Sequence, residues 1–191
     1  MEDKFVIIDF ETTGADILHT PPVKNGYFKS KLWYDPIEFA MLDLSSDQEY
    51  HYFIEPHQDF IKEGIPWATD IHGFEKDDFV KRNDLQKWED IYPEIQKVLT
   101  GKTAVAHNAF VFDQQVMEQT CEKYQTLVPL CKWRDTKAEI KQMYPDKAHS
   151  QIEVAKWMLD EEYKAHSAIE DVRMLAKIFK YINEKPSWIF V

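Results

Sequence analysis

The sequence of 191 residues has little of several features that define other classes of protein. Its two cysteines, Cys121 and Cys131, do not form a C-x-x-C pair, which argues against a disulfide framework or a zinc site. Only five glycines are present and no low-complexity tract divides the chain, which argues against disorder or a linker between domains. No apolar run approaches the roughly 20 residues of a membrane helix. Because no secretory signal precedes the first apolar segment, we expect a cytoplasmic protein without a membrane partner.

Positive charge is also scarce, with 23 lysines and arginines against 34 acidic residues and a formal net charge of −11. Affinity for a phosphate backbone comes mainly from Lys and Arg, so this composition argues against a strong grip on long nucleic-acid strands. Carboxylates that hold divalent cations would offset part of the deficit, because bound cations attract phosphate themselves. We therefore expect any nucleic-acid contact to be limited to an end or a short oligomer, or to be supported by a partner.

The hydrophobic pattern predicts an α/β fold in one compact domain that spans residues 1–191. Residues 5–10 form a short, β-branched apolar run, which predicts a central strand buried on both faces. Two further strands, at 36–42 and 49–54, are separated by turn-forming residues and complete an antiparallel meander. The residues from Gly14 to Pro36 lack a clear period, which predicts a loop or hairpin excursion.

The second half of the chain alternates between helical and strand patterns, which predicts a mixed sheet with helices on both faces and parallel strands added to the meander. An apolar strand is predicted at 103–107, and helices are predicted at 88–99, 113–124, 136–143, 151–159 and 167–183. The apolar tail from Lys185 to Val191 is expected to dock onto its own domain or, alternatively, to bind a partner or a second copy of the chain.

Two carboxylates, Asp9 and Glu11, stand at the end of the first predicted strand. Because side chains alternate along a strand, residues two apart point to the same face. A lone D-x-E pair is weak evidence for a metal site, since most such pairs are solvated edge residues. The Thr12-Thr13-Gly14 turn that follows strengthens it, because we expect this turn to present free backbone N–H groups, suited to a sugar hydroxyl or a phosphate, beside the carboxylates.

Two later segments also carry residues suited to chemistry. His107 ends the apolar strand predicted at 103–107, Asn108 follows it, and Asp113 begins a helix. Taken singly they have ordinary explanations, because a core histidine, a turn-forming asparagine and a helix N-cap are all common. His166 precedes the last helix as a loop residue, and Asp171 lies in the first turns, where acidic residues favour the helix dipole. Only the combination with the first segment therefore indicates a site.

The three segments resemble, in order and spacing, the motifs of the DEDD exonucleases of the ribonuclease H-like fold, in the subgroup that carries a histidine (DEDDh). The best-known members are the proofreading epsilon subunits of bacterial DNA polymerase III and the oligoribonucleases. The segment from His107 to Asp113 is one residue longer than the commonest form of its motif, and the segment before Glu38 is also long, which affects the rim of the substrate site. The matching motifs are Asp9-Phe-Glu-Thr-Thr-Gly14, His107-Asn-Ala109 with Phe112-Asp113, and His166 to Asp171, with landmarks at Glu38, Ile71-His-Gly-Phe74 and Arg134-Asp-Thr136.

The resemblance implies a metal-dependent 3′→5′ exonuclease that releases nucleoside 5′-monophosphates from single-stranded nucleic-acid 3′ ends. Two Mg²⁺ or Mn²⁺ ions per active site are expected, since two such cations can clamp the attacking and leaving oxygens of a phosphodiester. His166 is the expected general base, because an imidazole titrates near neutral pH. The expected metal ligands, which are also catalytic residues, are Asp9, Glu11, Asp113 and Asp171.

Substrate contacts are expected from residues beside these ligands. The backbone groups of Thr12 and Thr13 would locate the terminal 3′-hydroxyl. His107, Asn108 and Phe112 complete the expected substrate-binding set, although Phe112, between a strand and a helix, is also explained by packing in the core.

Three functions remain open for the chain. DNA proofreading or repair is favoured by Thr12-Thr13 and His72-Gly73, whereas RNA trimming of the oligoribonuclease type is favoured by the acidic composition and the spacing from Asn108 to Asp113. A noncatalytic accessory module of the same fold is the third possibility, although all five catalytic positions carry the required residue types. The expected partners are a single-stranded DNA or RNA 3′ end and, in addition, a polymerase or a second copy of the chain.

Overall fold

A computed structural model describes residues 4–14, 35–57 and 67–184. Within these ranges six strands form one mixed sheet, whose members in chain order are β1 (Phe5–Thr12), β2 (Pro36–Asp43), β3 (Gln48–Ile54), β4 (Leu85–Gln86), β5 (Thr103–Ala106) and β6 (Lys132–Asp135). Their order across the sheet is β4-β3-β2-β1-β5-β6. The pairs β1–β2 and β2–β3 are antiparallel, whereas β3–β4, β1–β5 and β5–β6 are parallel. The predicted α/β class and the central position of β1 are confirmed.

The described helices follow the predicted pattern with one exception. The helix predicted at 151–159 is a short α-helix continued by a π-helical turn at Ala155–Leu159. Within the described ranges, no helix is long and apolar enough to cross a membrane. The helices in chain order are α1 (Thr69–His72), α2 (Lys76–Phe79), α3 (Trp88–Leu99), α4 (Asp113–Lys123), α5 (Thr136–Met143), α6 (Gln151–Val154) and α7 (Ala168–Glu184).

Side-chain alternation along β1 divides the core between the two faces of the sheet. Val6 and Ile8 point to one face, where they pack with the apolar sides of α3 and α4. Ile7 points to the other face and packs with the apolar side of α7. Helices therefore cover both faces, as predicted. Because Asp9 and Glu11 share the parity of Ile7, both face α7 rather than α4.

The sequence pattern does not predict β4 and β6. Strand β6 reads Lys-Trp-Arg-Asp and buries only Asp135, because it is an edge strand that needs no continuous apolar run. Strand β4 has two residues, too few for alternation to be visible. Two predicted segments lie outside the described residues: most of the excursion from Gly14 to Pro36, and the tail at 185–191.

Candidate active site

Three of the predicted carboxylates converge where the end of β1 meets the start of α7. The apolar part of β1 seats Ile7 against α7, and the following odd-numbered residues, Asp9 and Glu11, continue along the same face. Asp171 lies in the first turn of α7 and is 8% exposed. One oxygen from each of these three carboxylates lies within 4.8 Å of the other two. The packing of one helix on one strand thus brings together residues that are 160 positions apart in the sequence, which is the separation from Glu11 to Asp171.

The fourth predicted carboxylate, Asp113, approaches from the other layer. It begins α4, on the opposite face of the sheet, and is 1% exposed. Its Oδ1 accepts a hydrogen bond from the backbone N–H of Phe10 at 3.3 Å, which holds it beside β1. Within the described ranges it is not a member of the group that meets within 4.8 Å. The structure therefore places Asp113 next to the triad of Asp9, Glu11 and Asp171.

Three of the four carboxylates, Glu11, Asp113 and Asp171, are buried, and Asp9 is partly buried beside them. Burial, followed by the charges of neighbouring carboxylates, raises the pKa of Glu11 to about 8 and the pKa of Asp9 well above its usual range. Burial also raises the pKa of Asp113 to about 8, although backbone N–H groups oppose the shift, and raises the pKa of Asp171. In the part of the chain that the structure describes, no lysine or arginine forms a salt bridge with any of the four.

This donor set suits a hard divalent cation. The triad offers carboxylate oxygens, the ligands that hard divalent cations prefer. Glu38, which pairs with Glu11 across β1 and β2, is 1% exposed, and its Oε2 has no hydrogen-bond partner among the described residues. An acidic group of this kind is consistent with divalent-metal binding, because a cation would supply the positive charge that the surrounding residues lack.

His166 stands at the edge of the same group. Its backbone is in the left-handed region, with φ of 66°, and its N–H donates to Asp171 Oδ2 at 2.8 Å. This conformation is uncommon for a residue with a side chain, and here it turns the N–H towards the carboxylate while leaving the imidazole exposed. The predicted base and the triad therefore share one pocket.

The pocket has a volume of about 380 Å³. Its walls come from the ends of β1 and β5 and from the first turns of α4, α5, α6 and α7. It contains all five predicted catalytic residues and four of the five predicted substrate residues, and lacks Thr13. The lining residues are Asp9, Phe10, Glu11, Thr12, Gly14, Ala68, Ile71, His107, Asn108, Phe112, Asp113, Lys137, Ser150, Gln151, His166 and Asp171.

The two threonines of the first motif have different environments. Thr12 lines the pocket, and its hydroxyl donates to the carbonyl of Gly14. The Thr13 N–H donates to the carbonyl of Asp35 at 2.9 Å, and the Thr13 hydroxyl accepts from the N–H of Asp35 at 2.9 Å. The expectation of a free backbone N–H at Thr13 is therefore wrong, because a residue 22 positions away along the chain occupies it.

His107 is held by protein atoms at both ring nitrogens. Nδ1 lies 3.0 Å from Thr136 Oγ1, and Nε2 lies 2.7 Å from the carbonyl of His149. Burial lowers the pKa of His107 to about 4, so the ring is neutral at physiological pH. A neutral ring that donates to the His149 carbonyl accepts at its other nitrogen. These contacts favour the explanation of His107 as a core histidine that ties β5 to the segment before α6.

Asp135 organises the loop between β5 and α4. Asn108 has a φ of 77°, and its N–H donates to Asp135 Oδ1 at 3.1 Å. The N–H of Phe110 donates to Asp135 Oδ2 at 3.3 Å, and the N–H of Ala138 donates to Oδ1 at 3.1 Å, which caps α5. Sequence reasoning identified Asp135 only as a landmark and gave it no role. Its position directly before a predicted helix was the signal that it could cap one.

Phe112 and Lys137 complete the rim of the pocket. Phe112 is half-buried and packs against the cluster beneath α3 and α4, which favours the packing explanation although the ring also lines the pocket. Lys137, in the first turn of α5, was not identified from the sequence. It is the lysine among the pocket-lining residues, and within the described ranges its ammonium group is in no salt bridge.

Comparison with known proteins agrees with this geometry. The sequence matches the family model RNase_T, described as exonuclease, over residues 6–179. The PolC-type DNA polymerases III of Thermotoga petrophila and Thermotoga maritima are each 26% identical over 178 residues, which is 92% of this chain and 11% of theirs. The chain therefore spans only a small part of the length of these relatives.

Solved structures share the fold. Exonuclease I of E. coli in complex with a dA16 oligonucleotide aligns with a TM-score of 0.71 and 14% identity, over 99% of this chain and 42% of that one. Exonuclease X in complex with a 5′-overhanging duplex DNA aligns with a TM-score of 0.63 and 19% identity, over 94% of this chain and 91% of that one. The six-stranded sheet is thus the ribonuclease H-like exonuclease fold. Because the family model covers most of the sequence, the chain belongs to the RNase_T/DEDD exonuclease family.

Proposed function

We propose that this protein is a metal-dependent 3′→5′ exonuclease that releases nucleoside 5′-monophosphates from single-stranded 3′ ends, with DNA as the favoured substrate. The observation that supports it best is that oxygens of Asp9, Glu11 and Asp171 meet within 4.8 Å, in a pocket that also contains Asp113 and His166. Family membership supports the exonuclease activity, and the geometry supports the assignment of roles to residues.

The four carboxylates would hold two Mg²⁺ or Mn²⁺ ions. When bound, such ions stabilise negative charge on the phosphate and on the leaving oxygen and lower the pKa of water. Asp9, Glu11 and Asp171 would supply ligand oxygens, and Asp113 would add its carboxylate from the α4 side.

His166 would accept the proton. A water molecule attacks the terminal phosphorus, its proton passes to the imidazole of His166, and the bond from phosphorus to the 3′-oxygen of the preceding nucleotide breaks. That oxygen takes up a proton and becomes the new 3′-hydroxyl, and the phosphate leaves on the 5′ side of the released nucleoside. Because the imidazole is exposed, it can pass its proton to solvent before the next cycle.

Several features bear on the substrate. Exonuclease I and exonuclease X have been solved with DNA, and the curated relatives are DNA polymerases. Thr12 and Lys137 line the pocket, where Thr12 would contact a terminal sugar and Lys137 would contact a phosphate oxygen. A single lysine in a chain of net charge −11 fits the recognition of a strand end better than the tracking of a long strand. A polymerase or a second copy of the chain would supply further contacts with the nucleic acid.

The test is an end-labelled degradation assay. A 5′-labelled single-stranded DNA incubated with the protein and Mg²⁺ or Mn²⁺ should give a ladder that shortens from the 3′ end, and the released product should be the nucleoside 5′-monophosphate. EDTA should abolish the ladder, and a strand with a blocked 3′ end should resist. Full-length strands that persist with DNA, RNA and short oligomers, with either metal, would exclude the function and leave the accessory-module alternative.

RNA trimming is the second candidate, and the loop after β5 favours it. The loop from Asn108 to Asp113 resembles that of oligoribonucleases in its spacing. Asn108 itself has a left-handed backbone conformation. Parallel assays with a dinucleotide RNA and with mismatched DNA termini separate the two candidates, since each predicts a different preferred substrate.

A further inference from the structure

Asp171 receives hydrogen bonds from three residues, which lie in two segments of the chain. The hydroxyl of Tyr163 donates to Asp171 Oδ1 at 2.6 Å. Gln151 Nε2 lies 3.1 Å from the same Oδ1 and 2.9 Å from the backbone carbonyl of Asp171. The N–H of His166 donates to Oδ2 at 2.8 Å. Neither Tyr163 nor Gln151 belongs to the motifs that define the family resemblance.

Tyr163 and Gln151 also bind each other. Gln151 Nε2 lies 2.9 Å from the hydroxyl of Tyr163, so the amide donates to the phenol while the phenol donates to the carboxylate. Such a chain of donors polarises each bond in the same direction, which strengthens the set. The two residues therefore act on Asp171 as one unit.

Both side chains are also held by contacts other than those with Asp171. The ring of Tyr163 packs against the apolar cluster beneath α7. Gln151 is the first residue of α6, whose N-cap Ser150 accepts from the N–H of Glu153. Their donors are thus fixed by packing and by a helix cap before any ligand arrives.

The hydrogen bonds to Asp171 reach both of its carboxylate oxygens. Tyr163 donates to Oδ1, and Gln151 Nε2 lies 3.1 Å from the same atom, whereas the backbone N–H of His166 donates to Oδ2. Contacts at both oxygens fix the rotation of the carboxylate, on the face that it shares with Asp9 and Glu11.

We propose that Tyr163 and Gln151 are positioning residues that hold the carboxylate of Asp171 in the orientation in which it would bind a divalent cation together with Asp9 and Glu11. The inference rests on the proposed function. Without these donors, repulsion from Glu11 and Asp9 would push the carboxylate of Asp171 away from the other two. Hydrogen bonds of this kind to metal ligands commonly change metal affinity by about 10- to 100-fold.

The test compares Tyr163→Phe with a matched control elsewhere in the fold. Tyr52 is also buried, and its hydroxyl donates to the carboxylate of Glu94 at 2.7 Å, away from the pocket. Tyr52→Phe therefore removes the same chemical group and the same type of bond. Mn²⁺ affinity is measured by titration calorimetry and by the electron paramagnetic resonance signal of free Mn²⁺, in the absence of nucleic acid.

We expect Tyr163→Phe to weaken Mn²⁺ binding by about 10- to 100-fold, and Tyr52→Phe to leave it unchanged. Gln151→Met, which keeps the size of the side chain and removes its donors, should shift the affinity in the same direction. In both site variants the KM for DNA should stay constant while kcat at limiting Mn²⁺ falls, and a higher Mn²⁺ concentration should restore kcat. If the two residues had only a structural role, the variants would have a lower unfolding temperature, and a higher Mn²⁺ concentration would not restore kcat.

Two outcomes would overturn the inference, and they differ from failure of the proposed function. If Tyr163→Phe and Gln151→Met both bind Mn²⁺ as tightly as the wild type, the positioning role is excluded even when the wild type degrades DNA. If Tyr163→Phe does not fold, as judged by circular dichroism, wild-type affinity in Gln151→Met alone excludes it. A wild-type protein that binds no Mn²⁺ would instead count against the proposed function itself.

Discussion

The two ends of the β1–β2 ladder bury carboxylates in opposite electrostatic settings. At one end Asp43, paired with Val6, accepts from Lys102 Nζ at 2.6 Å and from Ser45. Burial alone would raise the pKa of Asp43, but the hydrogen bonds from Lys102 and Ser45 more than offset it and lower the pKa. At the other end Glu11 lies opposite Glu38, and burial with neighbouring negative charge raises the pKa of Glu11 to about 8.

The difference shows which carboxylates serve the fold and which need a partner from outside. Burying an unpaired charge costs several kcal/mol, and a nearby cation offsets that cost. The chain supplies the cation for Asp43, and it supplies Lys123 for Asp35 at 2.6 Å. Among the described residues no lysine or arginine forms a salt bridge with the triad of Asp9, Glu11 and Asp171. A local arrangement that disfavours folding is characteristic of a functional site.

The largest expected effect comes from Asp9→Asn. Removal of this ligand should lower turnover by about four orders of magnitude or more, as for other groups essential to the chemistry. The same change removes one of the crowded negative charges, so the unfolding temperature in EDTA should stay equal or rise. Degradation assays and thermal unfolding in EDTA measure the two effects. Turnover close to wild type, or a large loss of stability in EDTA, would contradict the inference that the carboxylates at this end serve the site and not the fold.

His166→Ala tests the transfer of a proton to the imidazole separately from the binding of metal by the carboxylates. Turnover should fall by roughly two to four powers of ten, because a general base contributes about that much. Mn²⁺ affinity should be preserved, since the backbone N–H that donates to Asp171 Oδ2 remains. His166→Asn is the control for the backbone, because Asn tolerates the φ of 66° better than Ala does. Wild-type turnover in both variants would remove His166 from the mechanism.

Stability of the metal-free protein should fall as pH rises. The pKa of Glu11 is about 8 in the folded protein, above its ordinary value of 4.5. The contribution of Glu11 to the free energy of unfolding is therefore complete at pH values below 4.5 and is lost as the pH rises through about 8. The unfolding temperature in EDTA should therefore drop between about pH 5.5 and about pH 8.5. Saturating Mg²⁺, at about 100 times its Kd, should restore roughly 2.7 kcal/mol at the higher pH.

Glu11→Gln is the control for this dependence on pH. The variant lacks the titrating group, so its unfolding temperature in EDTA should change less over the same range. An equal slope in the variant and the wild type would assign the dependence on pH to other groups.

Asp43→Asn tests the paired end of the ladder. The change leaves Lys102 and Ser45 without their charged acceptor, so the free energy of unfolding should fall by about 1–3 kcal/mol, as measured by denaturant titration. Mg²⁺ affinity and turnover at saturating metal should stay as in the wild type. A variant that loses metal affinity without losing stability would show that the two ends are coupled.

The smallest expected effect is that of Lys137→Ala. The ammonium group should contribute one phosphate contact, so the slope of log affinity against log salt should decrease by about 0.7 for a single strand. The KM for DNA should rise severalfold while Mn²⁺ affinity and kcat stay constant. A slope equal to that of the wild type would mean that the nucleic acid does not contact Lys137.

Local patterns allowed much of the fold to be predicted, and the errors have physical causes. The apolar run at Phe5–Phe10 predicts β1, and the parity of Asp9 and Glu11 predicts a shared face. By contrast, the sequence does not predict β6, because this edge strand carries charged residues and lacks the apolar run that indicates a buried strand. The helix predicted at 151–159 breaks into α6 and a π-helical turn, which its apolar spacing does not reveal.

The contacts that decide the roles of individual site residues are mostly long-range. His107 finds its partners in Thr136 and His149, up to 42 positions away, and these contacts favour a structural role. The N–H of Thr13 likewise donates to the carbonyl of Asp35, although the sequence between these two residues has no regular hydrophobic pattern. A residue type and its neighbours in the sequence carry no information about such partners.

The sequence by itself determined the kind of chemistry, because four carboxylates and a histidine at motif spacing are a property of residue order. Tertiary structure alone decided which of them meet, since α7 packs on the Asp9 face of β1 while α4 brings Asp113 from the opposite face. It also decided that Tyr163 and Gln151 approach the same oxygen of Asp171. Distances between atoms of separate elements depend on packing, and packing is set by the whole core.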